Sequence, residues 1–197
     1  MVASDTNTQV VARTNGVVGA LGASSGYVYW TEQDAADDAG GYVGSVNRAA
    51  SNGGQTETLA TGLSTPGPLV VDATGVYWID LGQAVYDCTL SGAGNWLNGT
   101  LMRLPAGSST PVVLVTGITN GVSIARANDA VYWVDWVQYC AYLAYSGDVN
   151  KLSDTLTAPQ VLASGLAAPG NLFVDSTTVY FTSTDSTGTY TGQGIPR

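Results

Sequence analysis

The chain has 197 residues, with 15 acidic and 6 basic side chains, no His, two Cys and a formal charge of −9. That charge argues against nucleic acid and anionic membranes as partners, since both need clustered Lys and Arg. It is compatible with cations, neutral glycans or basic peptides. The absence of His removes Ser-His-Asp and Cys-His catalysis and every His-containing zinc site, and no 18-residue apolar run is present to span a membrane.

Gly is abundant at 25, Tyr, Val, Thr and Trp are frequent, and no window sustains a 3.6-residue apolar period. An all-β fold with many turns is expected. The start, MVASDTNTQ, shows no secretory signal and reads as a mature or truncated N-terminus. Residues 8–14, TQVVART, read as a strand. Then ALGASSGYVY (20–29) gives an apolar strand, a tight turn and an aromatic strand.

That unit recurs. PLVVDATGVY (68–77), SIARANDAVY (123–132) and NLFVDSTTVY (171–180) align with it without gaps, and Tyr29, Tyr77, Tyr132 and Tyr180 stand 48, 55 and 48 residues apart. Leu21, Leu69, Ile124 and Leu172 each precede their Tyr by eight. After each aromatic strand comes a variable loop, then a third strand (GSVNR, TLMRL, DVNKL or QGIPR) carrying Arg48, Arg103, Lys151 or Arg197. A fourth strand follows in three repeats: TETLATGL, PVVLVTGI and PQVLASGL. We label the four strands A to D.

Four short strands in about 40–50 residues are the signature of a β-propeller blade. A blade is covered on both faces by its neighbours, which explains runs such as Val76-Tyr77-Trp78: all three can be buried. The repeats span approximately 16–62, 63–117, 118–165 and 166–197, the last completed by 1–15 as its D strand. One domain of four blades closed by the N-terminal strand is therefore expected, a fragment of a larger propeller being the rival. The acids two residues past the aromatic, Glu32, Asp80 and Asp135, are expected to pair with the bases of strand C in at least two blades. The fourth repeat has Ser183 at that place.

YWTE (29–32), YWID (77–80) and YWVD (132–135) resemble the YWTD-type β-propellers of the low-density lipoprotein receptor family, and the wider pattern resembles secreted bacterial propellers of that kind. The resemblance covers nearly all of residues 9–197. It implies a binding scaffold for proteins or other ligands rather than one defined activity. Members of the family typically have six blades, and four repeats are seen here.

Function is expected on the B–C loops, which differ most between repeats. The second carries Tyr86 and Trp96, the third Trp136, Tyr139, Tyr142 and Tyr145; together they make a candidate patch for a glycan or a protein. The alternative is that these aromatics pack beneath their own loops. Cys88 and Cys140 lie in the same two loops and are expected to form a disulfide, which would place the protein outside the cell, on its surface or in the periplasm. Two free buried thiols are the alternative. The acidic first loop (Asp34, Asp37, Asp38) lacks EF-hand spacing, so Ca²⁺ is a weak expectation and no cofactor is needed.

The expected function is a non-enzymatic binding module, monomeric rather than oligomeric. One alternative is a divalent-cation-dependent hydrolase or lyase, for which Asp72 and Asp175, each where strand A meets its turn, would be the acid–base pair. The other is a structural subunit of a larger surface assembly.

Overall fold

The computed structural model describes residues 8–36, 42–87, 92–139, 144–184 and 187–197. Within them the chain is all β and holds no helix, so no helix is long and apolar enough to cross a membrane. The first sheet runs β1 (Val17–Ser24), β2 (Tyr27–Ala36), β3 (Tyr42–Ala50) and β4 (Glu57–Ser64) in that order. The second runs β5 (Pro66–Asp72), β6 (Gly75–Asp80), β9 (Gly99–Pro105) and β10 (Val112–Ile118); the third runs β11 (Ser123–Ala127), β12 (Ala130–Tyr139), β13 (Ala144–Ser153) and β14 (Gln160–Leu166). A fourth holds β15 (Leu172–Val174), β16 (Thr178–Thr184) and β17 (Tyr190–Pro196). All pairings are antiparallel. β1, β5, β11 and β15 are the inner strands, with β1 packing on β5, β5 on β11 and β11 on β15. This is a β-propeller-type fold of four blades.

Local chemistry sets the corners. β1 turns into β2 through Ser25 and Gly26, both at positive φ (52° and 80°), the backbone that a two-residue hairpin requires. Each outer strand carries a glycine near its end, Gly62, Gly117 or Gly165, at φ 70°, 80° and 68°. Three residues further the chain enters the left-handed region again, at Thr65, Asn120 and Ala168 (φ 66°, 44° and 42°). This double kink turns each outer strand back toward the next inner strand, at the same place in three repeats.

Packing obeys the two-residue period of a strand. In each B strand the Tyr points to one neighbouring blade and the Trp or Phe to the other. Tyr29 shares a cluster with Trp78, Tyr77 with Trp133, and Tyr132 with Phe181. The repeated Leu or Ile of strand A joins these seams at Leu69, Ile124 and Leu172. Trp78, Trp133, Tyr77 and Tyr132 are buried, and each such ring removes roughly 150–250 Å² from water.

The closing strand differs from expectation. Residues 8–14 form no strand, and among the described residues β17 pairs only with β16. The segment lies instead against blade 1. Gln9 Nε2 donates to the Asn52 carbonyl, and Gly16 N donates to Glu32 Oε1 at 2.9 Å. Forty-eight residues on, Ser64 N donates to Asp80 Oδ2, also at 2.9 Å. The N-terminal segment thus sits on blade 1 as the end of β4 sits on blade 2. β15 makes no extensive contact with β1, so the edge of β17 is not brought to it.

Thr65 is a β-branched residue at positive φ, and its buried hydroxyl has no partner. Its counterpart Asn120 tolerates that backbone and donates to the Trp136 carbonyl at 3.0 Å. Thr65→Asn is expected to stabilise the protein by about 1 kcal/mol, measured as a rise in the denaturation midpoint. A fall would show that the kink carries no strain.

Candidate functional site: the face of the long hairpins

At the B–C end of blades 1 and 3 the acid of the YW-x-acid motif is held by the Trp two residues before it and an amide across the ladder. In blade 1, Trp30 Nε1 and Asn47 Nδ2 both donate to Glu32 Oε2 at 3.1 Å. In blade 3, Trp133 Nε1 donates to Asp135 Oδ2 and Asn150 Nδ2 to Oδ1, each at 3.2 Å. Blade 4 keeps a neutral version, with Gln193 Nε2 donating to Ser183 Oγ at 2.8 Å. In blade 2 the position opposite Trp78 is Met102, which has no amide. There Trp78 Nε1 and Asp80 Oδ1 are buried with no partner.

The expected pairing of these acids with the bases of strand C does not occur. The register places Arg48, Arg103 and Lys151 opposite Tyr29, Tyr77 and Tyr132. Strand alternation puts Tyr and base on one face, Trp and acid on the other. The bases lie over aromatic rings instead: Arg48 over Tyr27 at 4.7 Å, Arg103 over Tyr77 at 5.3 Å and Lys151 over Tyr132 at 5.8 Å. Arg197 does not share their position, since Gly194 stands opposite Tyr180. Its guanidinium reaches back to blade 3, donating to Tyr132 Oη at 2.9 Å and pairing with Asp129 at 3.6 Å.

The acids divide electrostatically. Burial raises the pKa of Glu32, but the bonds from Thr14, the Gly16 N–H and the Trp30 indole outweigh it and hold it below its ordinary value. Burial pushes Asp80 up against its backbone bonds. Asp135 is pushed up to about 6, by burial first and then by Asp148, which stands directly opposite it on β13.

Two hairpins rise on this side. β12 and β13 extend well past the core of blade 3. In blade 2 the B–C connection, read from sequence as a loop, forms its own hairpin of β7 (Gln83–Asp87) and β8 (Gly92–Leu97). β8 packs against β12, so the two hairpins stand side by side. Tyr86 is on β7, Trp96 on β8, Trp136 and Tyr139 on β12, and Tyr145 on β13. Tyr142, Cys88, Cys140, Asp37 and Asp38 lie outside the described residues. Trp136 is half-buried; its backbone N–H donates to the Thr119 carbonyl at 3.1 Å, and Gly147 across the ladder leaves room for its side chain.

The opposite side holds what sequence reasoning missed. Arg126, on inner strand β11, has a side chain only 2% exposed. It bonds Asp72 of blade 2 at 2.9 Å, bonds both carboxylate oxygens of Asp154 in blade 3, and lies 4.7 Å over Tyr77. A lone Arg on an inner strand was the available signal. Asp72 is thereby committed, also accepting from the Thr74 N–H at 2.8 Å. Asp175 likewise accepts from the Thr177 and Thr178 N–H groups at 2.8 Å within its turn. A cavity of about 500 Å³ between blades 1 and 2 is lined by Tyr27, Tyr29, Arg48, Glu57 and Asp72, with Arg48 paired to Glu57 at 2.7 Å.

The chain is similar to known propeller-type structures. It aligns with a computationally designed protein, Ika4, at a TM-score of 0.56 and 15% identity, over 94% of this chain and 96% of that one. It also aligns with a subtype N11 neuraminidase-like protein of A/flat-faced bat/Peru/033/2010 (H18N11) (TM-score 0.49, 14% identity, 95% of this chain and 56% of that one). An endo-arabinanase from Bacillus licheniformis aligns at 0.40, with 12% identity over 89% and 71%. At such identities the likeness bears on the fold alone. No protein-family model matches the chain, and no curated protein matches it.

The raised pKa of Asp135 fixes the sign of a pH effect. Unfolded, this carboxyl ionises near 3.8; folded, near 6. Between those values the folded state keeps a proton that the unfolded state has lost, so stability falls as pH rises across the window. The Asp135 share of that fall is on the order of 2 kcal/mol. Denaturation midpoints measured from pH 4 to 7 are expected to decline less steeply in Asp135→Asn than in the parent. Parallel profiles would contradict the assignment.

Proposed function

We propose that this chain is a non-enzymatic binding module that recognises a glycan, or alternatively a protein, on the face built by the β7–β8 and β12–β13 hairpins. The carrying observation is the packing of β8 on β12. Five of the six aromatic positions picked out by sequence fall on the strands of these two hairpins, which supports the reading. Tyr and Trp side chains suit a glycan or a protein surface, since their rings stack on sugar or side-chain surface while their polar atoms hydrogen-bond. The YW-x-acid repeats support reading the chain as a YWTD-type propeller, whose members mostly serve as scaffolds. A Cys88–Cys140 disulfide between the neighbouring hairpins would staple this face and imply an extracellular, surface or periplasmic setting. No cofactor is required by this reading.

The hydrolase or lyase alternative draws less support. Asp72 is bonded to Arg126 and Thr74, and Asp175 to its own turn, so each carboxylate already has a structural task.

Glycan-array binding of the purified chain, compared with Trp136→Ala, is the test. Binding of a defined glycan class is expected, weakened at least tenfold in the variant while its circular dichroism is unchanged. Chelator-sensitive turnover of a bound glycan, or binding unaffected by the substitution, would overturn the proposal.

A further inference from the structure

The seams of this propeller share one rule, and the rule is left unfinished at both ends of the chain. At each seam the Tyr of one blade meets the Trp or Phe of the next, with the strand-A Leu or Ile beside it. Tyr29, Tyr77 and Tyr132 are accordingly 8%, 0% and 0% exposed. Their counterpart Tyr180 is 43% exposed, and Phe173, facing the same way on β15, is 65% exposed. The two rings lie 6.3 Å apart and, with Leu172 and Gln193, line an open groove of about 530 Å³. At the other end, Leu21 stands opposite Trp30 as Leu69 stands opposite Trp78. Leu69 is 7% exposed, whereas Leu21 is 68% exposed. Blade 4 thus presents the Tyr half of a seam, and blade 1 the strand-A Leu of the other half, its Trp30 being already covered at 3% exposed.

The backbone is unfinished in the same places. Among the described residues the outer edge of β17 is unpaired, and residues 8–14 lie on blade 1 in the position of a preceding blade's last strand, yet belong to no sheet. Within the chain the two halves do not meet: β1, β5, β11 and β15 pack in succession, but β15 makes no extensive contact with β1.

We infer that these ends join between two copies of the chain. Blade 4 of one copy docks on blade 1 of the second, so that Tyr180 and Phe173 cover Leu21, and residues 8–14 of the second copy add as a fourth strand to β17. Such a contact is heterologous, and two of them related by a twofold axis close a ring of eight blades. The occupant is a second copy because the missing surface is the one this chain itself carries, in the pattern of the three seams already formed.

The test is the native mass of the purified chain by light scattering, beside Phe173→Glu and Leu21→Glu, which alter opposite halves of the seam. The parent is expected to be a dimer. Each variant is expected to be a monomer with an unchanged circular dichroism spectrum, and mixing the two variants restores at most a single weak contact. A monomeric parent overturns the proposal, as does a dimer that survives both substitutions. Species larger than a dimer overturn the twofold closure.

Discussion

Everything in this fold depends on one alternation: along each B strand a Tyr points to one neighbouring blade and a Trp or Phe to the other. A strand has a two-residue period, so adjacent aromatics cannot serve the same seam. Four sheets that would each be marginal alone become one body because the Tyr of one fills against the Trp of the next. The bases of strand C are drawn to the Tyr face by register, and the acids to the Trp face. The charge pattern of the molecule is therefore a consequence of aromatic packing.

The same alternation separates the two ends of the propeller. On the hairpin side Trp30 and Trp133 each hold an acid through the indole N–H, with Asn47 or Asn150 completing the arrangement. On the turn side the Tyr rings carry cations, and Arg126 and Arg197 tie each blade to the one before. Blade 2 lacks one partner of this set: with Met102 in place of an amide, Asp80 turns to the Ser64 N–H and leaves Trp78 without an acceptor. Hairpins of variable length face one way, and ion pairs between blades the other. This asymmetry is why the hairpin face is the better place to look for a ligand.

Much of this was legible in the sequence. The ungapped repeats and the eight-residue spacing from Leu or Ile to Tyr announced four blades and their strands. The aromatic runs announced burial on both faces. The pairing of acids was not legible, because proximity along a hairpin says nothing about face, whereas register does. Arg197 aligns with the other bases in sequence but not in space, because the fourth repeat is shorter between its aromatic strand and its C strand. The β7–β8 hairpin was hidden in a glycine-rich stretch with weak alternation. Residues 8–14 have the pattern of a D strand, but whether a D strand finds its sheet depends on where the distant fourth blade lies, which no local pattern encodes.

The most direct measurement is a double-mutant cycle across one seam. Tyr77→Leu and Trp133→Leu, on different blades but in one cluster, are combined and compared by equilibrium denaturation. A seam built on this contact predicts that the two changes couple by about 0.5–1.5 kcal/mol, while Tyr29→Leu with Trp133→Leu, from different seams, is additive. Additive losses for Tyr77 and Trp133 would contradict a fold held together by Tyr–Trp packing between blades.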